Sequence, residues 1–228
     1  MQITARPCYT VAIHKEGRMR RIIFSWFFVV WGLLYSGAVF AAEGCTINRV
    51  VGDVRILRGS ETMAAKENDS LKKGDRLQTG DNCKADMSMN GLAGCRVLAG
   101  SRVEIASWKS EDMSLSVEKG NVILNLNRLP KESAFKLETP TAVATVRGTQ
   151  FWGRVESKAQ DNSVTTFAVK RGTIEIMDKL SNLNFKLEKG DALDLDGKAG
   201  HALLIRPALD EEMQAMDQAD DIPVDTES

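Results

Sequence analysis

Histidine is nearly missing from this sequence of 228 residues, which carries only His14 and His201. A Ser-His-Asp triad or an imidazole-rich metal site would have to be assembled around His201, whose Gly-His-Ala context reads as a solvated loop. Phosphate cradles are missing as well. Neither G-x-x-x-x-G-K-[ST] nor G-x-G-x-x-G occurs, which removes the nucleotide-binding classes built on them. No Cys-x-x-Cys spacing suggests a metal. Acid pairs such as Glu111 and Asp112 read as a solvated turn, so a glycan-acting enzyme has only a remote claim. Nor is there a basic field. The formal net charge is −1, residues 1–41 hold five Lys/Arg against one acidic residue, and from Arg206 onward one Arg faces eight Asp/Glu. Such a chain does not attract phosphate backbones, and nucleic acid is not expected as a partner. No cofactor and no catalytic set are expected.

What is present begins with a leader. Arg20-Arg21 precedes an apolar run from Ile22 to Tyr35, and Ser36 to Ala42 is rich in small residues. This order predicts an export signal cleaved before Ala42, with Met19 as an alternative start and an uncleaved inner-membrane anchor as the alternative fate. The predicted organisation is a leader over 1–41, a β domain over 42–205, and a short helix with an acidic tail over 206–228. Residues 42–228 are therefore expected in the periplasm or secreted.

Helical periodicity is almost absent between Ile47 and Leu195, where short alternations bounded by Gly, Asn and Asp recur. The body is predicted to be all-β, many short strands joined by glycine corners. The predicted strands are Val50–Leu57, Arg76–Thr79, Lys84–Met89, Arg96–Leu98, Arg102–Ala106, Ser114–Val117, Val122–Leu126, Ala134–Glu138, Ala142–Val146, Gln150–Val155, Val164–Val169, Thr173–Met177, Asn184–Leu187 and Ala192–Leu195. One corner unit repeats around Gly74, Gly120, Gly172 and Gly190: a strand end, two charged or polar residues, the glycine, then usually a small polar residue before the next strand. Their unequal spacing argues against a strict solenoid.

Cys83 and Cys95 flank an Asn90-Gly91 hairpin signal, and in an oxidising compartment they are expected to form a disulfide. Cys45 is left odd. It can be free, pair between chains or carry a lipid, although Ala42-Glu43-Gly44 is a poor lipidation context. Past Pro207, Leu209, Met213 and Met216 fall at helical spacing, predicting a helix to about Gln218 and a disordered stretch over 219–228.

The central stretch runs from Thr139 to Val155 without an acidic residue. Its Ala, Val and Thr predict a strand starting after Pro140 and covered on both faces. Arg147 interrupts it and Gly148 follows, which suggests a bend. Two roles for Arg147 remain open, a buried guanidinium tying the corner together and a ligand for an anion. Phe151 and Trp152 face opposite sides, so one is expected in the core and the other in a surface patch. Arg147, Thr149 and Trp152 are the candidate binding residues, and Pro140, Arg147, Gly148 and Thr149 the structural motif.

The pattern Thr-Pro-x-Ala-x-x-x-Val-Arg-Gly-Thr-x-Phe over Thr139–Phe151 resembles the signature of FecR-type domains. Val51–Ile56, Leu71–Thr79, Gly94–Ile105 and Val117–Ile123 extend the resemblance, which covers roughly Val50–Met177 and departs at Gly91–Cys95. It implies a sandwich-like or partly solenoid-like periplasmic body. FecR-type regulators relay a signal from an outer-membrane receptor to a cytoplasmic sigma factor through a helical domain ahead of a membrane span. At most about twenty residues precede the apolar run here, too few for such a domain. The expected function is thus an exported, non-catalytic interaction or sensor-type module that meets another envelope protein. The alternative is a structural cell-envelope or secreted scaffold.

Overall fold

A computed structural model describes residues 44–109, 111–126, 129–130, 133–158, 162–197 and 204–222. The predicted leader, Cys8, His201 and the last six residues lie outside them. In chain order the strands are β1 (Cys45–Val51), β2 (Val54–Arg58), β3 (Glu61–Ala64), β4 (Ser70–Leu71), β5 (Arg76–Thr79), β6 (Lys84–Met89), β7 (Ala93–Val97), β8 (Arg102–Lys109) and β9 (Asp112–Leu126). They continue as β10 (Ala134–Glu138), β11 (Ala142–Val146), β12 (Gln150–Lys158), β13 (Asn162–Arg171), β14 (Ile174–Asp178), β15 (Asn184–Leu187), β16 (Asp191–Asp196) and β17 (Ile205–Pro207), before helix α1 (Asp210–Asp217). The described residues are all-β apart from that helix.

Two ladders of strands share β9. The first sheet runs β4-β1-β6-β7-β9-β12-β13-β16-β17. The second runs β3-β2-β5-β8-β9-β10-β11-β14-β15. Residues up to Lys119 of β9 pair in the second sheet, and those from Gly120 pair in the first. Alternation drives each half inward: Phe135 and Leu137 on β10, Ala142, Ala144 and Val146 on β11, Ile174 and Ile176 on β14 are buried, and their neighbours are not. The inward faces of both sheets form one apolar core. Contact between them is close: a Cβ on Gly153 of β12 would stand 3.0 Å from Leu137 Cδ2 on β10.

The chain changes sheet at its glycines. All four predicted corners, Gly74, Gly120, Gly172 and Gly190, have positive φ. Gly120 is the tightest, since an added Cβ would lie 2.4 Å from Ser101 Cα. Only glycine fits there, and this lets β9 bend from one sheet into the other without ending.

Several expectations are corrected. Val50–Leu57 is two strands, because Gly52 at φ 81° turns the chain between β1 and β2. Ser114–Val117 and Val122–Leu126 are one strand, bent at Gly120. β3, β4 and β17 were not predicted. β11 is not covered on both faces, as Val143 and Thr145 are half-buried. Double coverage occurs instead on β7, where Gln218 and Asp221 meet Arg96 on the outer face, and at the start of β12, where α1 packs.

Cys83 and Cys95 are free thiols, not a disulfide. The hairpin register pairs Cys95 with Met87, which leaves Cys83 four residues further along. That separation is about 13 Å of strand, beyond the roughly 7 Å a disulfide tolerates between Cα atoms. Cys45 is also free and fully buried, its Sγ 3.9 Å from Met87 Sδ. Burial, with a smaller push from the Asp75 charge, raises its pKa to about 12. A neutral, enclosed thiol of this kind is inert.

Candidate interaction surface

The turn that opens the central motif is built from hydroxyls. Thr139 Oγ1 accepts from Ala142 N at 3.0 Å, Thr141 Oγ1 donates to Thr165 Oγ1 at 2.6 Å, and Thr165 Oγ1 donates to Thr139 Oγ1 at 3.1 Å. Pro140 is exposed at the tip. The corner at the other end of β11 is held by backbone and by Thr149. Arg147 O accepts from Leu129 N at 2.8 Å, Thr149 O accepts from Leu126 N at 3.0 Å, and Thr149 Oγ1 donates to Thr173 O at 2.9 Å. The next corner is pressed against this one, since a Cβ on Gly172 would stand 2.7 Å from Gly148 O.

With these bonds made, the corner has no need of a guanidinium. Arg147 points outward, exposed, and no other described residue holds its side chain. The reading of Arg147 as a buried tie is overturned because β11 ends at Val146 and the bend delivers the next side chain to solvent. Arg147→Ala is expected to change stability by less than about 0.5 kcal/mol. A melting curve checks this, and a drop of more than a few degrees would show that the guanidinium carries structure.

Thr149 and Trp152 do not share that surface. Thr149 is buried in the corner, and Trp152, 7% exposed, lies on the outer face of the first sheet beneath α1. Phe151 fills the inner core, so neither aromatic forms an exposed patch. Ile123, Trp152, Ala168, Ala192, Met216, Ala219 and Ile222 make this second, smaller core. The Arg154 guanidinium sits 5.9 Å from the Trp152 ring centroid, within cation–π range. Leu209, expected on the apolar stripe, is exposed, whereas Met216 is fully buried.

Residues 219–222, expected to be disordered, are ordered and extend this packing as a strap. Lys170 Nζ meets Asp217 at 2.9 Å and Asp220 at 2.7 Å, and Gln150 Nε2 donates to Asp220 Oδ1 at 2.8 Å and to Met216 O at 3.3 Å. Arg96, paired in the sheet with Asp86, also donates to Gln218 O at 2.5 Å and meets Asp221 at 2.9 Å. Arg206 bridges Asp194 and Glu212, and Glu212 accepts from Leu209 N at 2.7 Å, steadying the start of α1. The hydrogen bond from Lys170 lowers the Asp220 pKa. At Asp221 desolvation acts upward, but Arg96 outweighs it and the pKa is again lowered.

Depressed carboxylate pKa values give a defined sign. The strap is held above the ordinary carboxylate range, and this contribution is lost as pH falls through the depressed values. Acidification toward pH 3 is expected to undock the strap before the sandwich melts, red-shifting Trp152 emission. Emission that stays unshifted until global unfolding would contradict it.

Two surface features remain. The corners at Gly148, Gly172 and Gly190 neighbour one another, through the Gly148–Gly172 approach and a Gly190 N to Val169 O bond of 2.8 Å. Each glycine is preceded by an exposed cation: Arg147, Arg171 and Lys189. The second feature is the end of the sandwich. Among the described residues, β15 and β17 are the last strands of their sheets, and exposed apolar side chains gather around them: Leu180 at 51%, Leu183 at 56% and Leu204 at 74%, with Met177 and Ile205. The strands at the opposite end, β3 and β4, carry no exposed large apolar residue.

The model of the FecR protein family matches residues 75–175, from the corner before β5 into β14. Two crystal structures of a candidate anti-sigma factor from Parabacteroides distasonis superpose with a TM-score of 0.53 at 14% identity, over 63% of this chain and 64% of theirs. At that identity the likeness is one of fold, and this chain spans less than two thirds of the neighbours' length. No curated protein matches the sequence.

Proposed function

Because the chain carries a FecR-type domain, we propose that it works as an exported, non-catalytic recognition module of the sensor type, meeting another protein of the cell envelope. The observation that carries this reading is the open end of the sandwich. An unpaired strand offers a row of amide and carbonyl groups, and an extended segment of another chain can add to it while exposed leucines anchor alternate side chains. Among the described residues, six of the seven large exposed apolar ones, Met177, Leu180, Leu183, Leu204, Ile205 and Leu209, lie in the last quarter of the chain, and five of them border β15 or β17. The basic, apolar and small-residue order of the first 42 residues supports export, with cleavage before Ala42. N-terminal sequencing of the protein from the envelope fraction tests that part.

The recognition part is tested by crosslinked capture from the envelope, comparing wild type with a Leu180→Lys/Leu183→Lys double variant. Both side chains are half-exposed or more, so the variant is expected to fold with little change in melting temperature. It is expected to lose a discrete partner that wild type retains. Equal capture by both proteins would remove this end of the sandwich from the interface.

A further inference from the structure

The row of basic corners borders a groove that is lined in part by Gln150 of the central motif. Its volume is about 570 Å³, between the strap and the corners that follow β13 and β15. Asn125, Gln150, Lys170, Arg171 and Lys189 line it together with Met213 of α1 and Asp220 of the strap. Charges in and around it do not cancel locally. Lys170 meets both Asp217 and Asp220, so the four cations Arg147, Lys170, Arg171 and Lys189 face two strap carboxylates and leave a surplus of two positive charges. Arg171 gives Nη2 to Asn125 Oδ1 at 3.0 Å, a neutral acceptor, and its charge acts on Asp220 across the groove without a direct ion pair. Lys189 has no ion pair among the described residues. Of the neighbouring acids, Glu188 pairs with Lys186 at 2.8 Å, and Asp191 Oδ2 closes the Lys189-Gly190 turn by accepting from Glu188 N at 2.8 Å.

From this arrangement we propose that the groove binds a phosphate monoester, held by Arg171 and Lys189 with Arg147 at the adjacent corner. This surplus of two positive charges matches the charge of about −1.5 to −2 that a phosphate monoester carries at neutral pH. The guanidinium keeps donors in a planar fork suited to phosphate oxygens, and Lys189 supplies a second point charge. A groove of this size lies within the range for small-molecule sites, about 300–1,000 Å³. It therefore holds the body that bears the phosphate, with Asn125 and Gln150 placed to reach that body. The phosphate can be that of a soluble sugar phosphate or of a lipid headgroup, and the chemistry of recognition is the same.

The test uses purified exported protein and three probes: inorganic phosphate, glucose 1-phosphate, and phosphatidylcholine vesicles containing phosphatidic acid. Saturable shifts of the Asn125 and Gln150 side-chain amide resonances are expected with the two soluble probes, tighter for the sugar phosphate. Arg171→Gln and Lys189→Gln are each expected to weaken binding by about tenfold, the effect of one charge-assisted contact, with ligand-free melting unchanged. Cosedimentation with the phosphatidic acid vesicles but not with pure phosphatidylcholine assigns the lipid source, and soluble binding without cosedimentation assigns the soluble one. No saturable shift up to about 20 mM of either soluble probe, identical shifts with chloride at matched ionic strength, or undiminished binding in both variants would overturn the proposal.

Discussion

Gly120→Ala is expected to destabilise the sandwich by about 3–5 kcal/mol, combining a strained positive φ with an overpacked contact. For a domain of this size that corresponds to a fall in melting temperature of about 10 °C or more. The reason is the position of the residue. Gly120 is where β9 passes from the second sheet to the first, at φ 93°, and the new Cβ would meet Ser101 Cα at 2.4 Å and Ser101 Oγ at 2.2 Å. Ser101 cannot step aside. It is fully buried, its amide donates to Thr79 Oγ1 at 3.0 Å, and its hydroxyl accepts from Asn121 N at 2.9 Å. Gly74 provides the control, since it has φ 85° and nothing within 4 Å of an added Cβ. Gly74→Ala should cost only the backbone term, about 1–2 kcal/mol. Thermal and urea denaturation of the two variants separate the terms, and equal losses in both would mean that the Ser101 contact relaxes freely.

The second large effect is expected at Arg96. Its guanidinium pairs with Asp86 at 2.6 Å and 2.7 Å, and the two side chains are 3% and 2% exposed. The hydrogen bond to Asp86 is also the main reason its pKa is raised. Arg96→Ala leaves a carboxylate buried without its partner, a loss of about 3–5 kcal/mol. It also frees Gln218 O and Asp221, so the strap should loosen together with the sheet. Asp86→Ala should destabilise comparably, whereas Arg96→Met combined with Asp86→Leu should recover much of the loss, because two apolar side chains leave no orphaned charge. Asp221→Asn should loosen only the strap. Denaturation midpoints of this set decide the matter, and an Arg96→Ala protein as stable as wild type would remove the pair from the account.

Much of this fold is legible in the sequence, for local reasons. Gly74, Gly120, Gly172 and Gly190 could be read as corners because positive φ is costly for other residues, and strands such as β6, β10 and β11 were readable from alternation over a few residues. What could not be read locally depends on partners distant in the chain. Nothing in Asp112–Leu126 alone says that its two halves belong to different sheets. Arg147 looked interior because an apolar strand precedes it, yet the bend at Gly148 turns it outward and backbone bonds satisfy the corner. Trp152 looked like a candidate for the surface because its cover comes from Met216 and Ala219, more than sixty residues later. The separation of Cys83 from Cys95 has a visible signal in the sequence. Cys83 and Cys95 lie at unequal distances from the Asn90-Gly91 turn, so a regular hairpin cannot place them opposite each other. The acidic tail read as solvated by composition, whereas Asp217, Asp220 and Asp221 meet Lys170 and Arg96 on the first sheet.

Recognition at the open end of the sandwich is tested most directly by a site-specific photocrosslinker. The reactive residue is placed at Leu183, beside β15, and in a second protein at Thr62 on β3, the terminal strand at the other end of the same sheet. Irradiation in intact cells is predicted to give one adduct of discrete mass from position 183 and none from position 62. An adduct from position 62 with none from position 183 would contradict the proposed recognition surface.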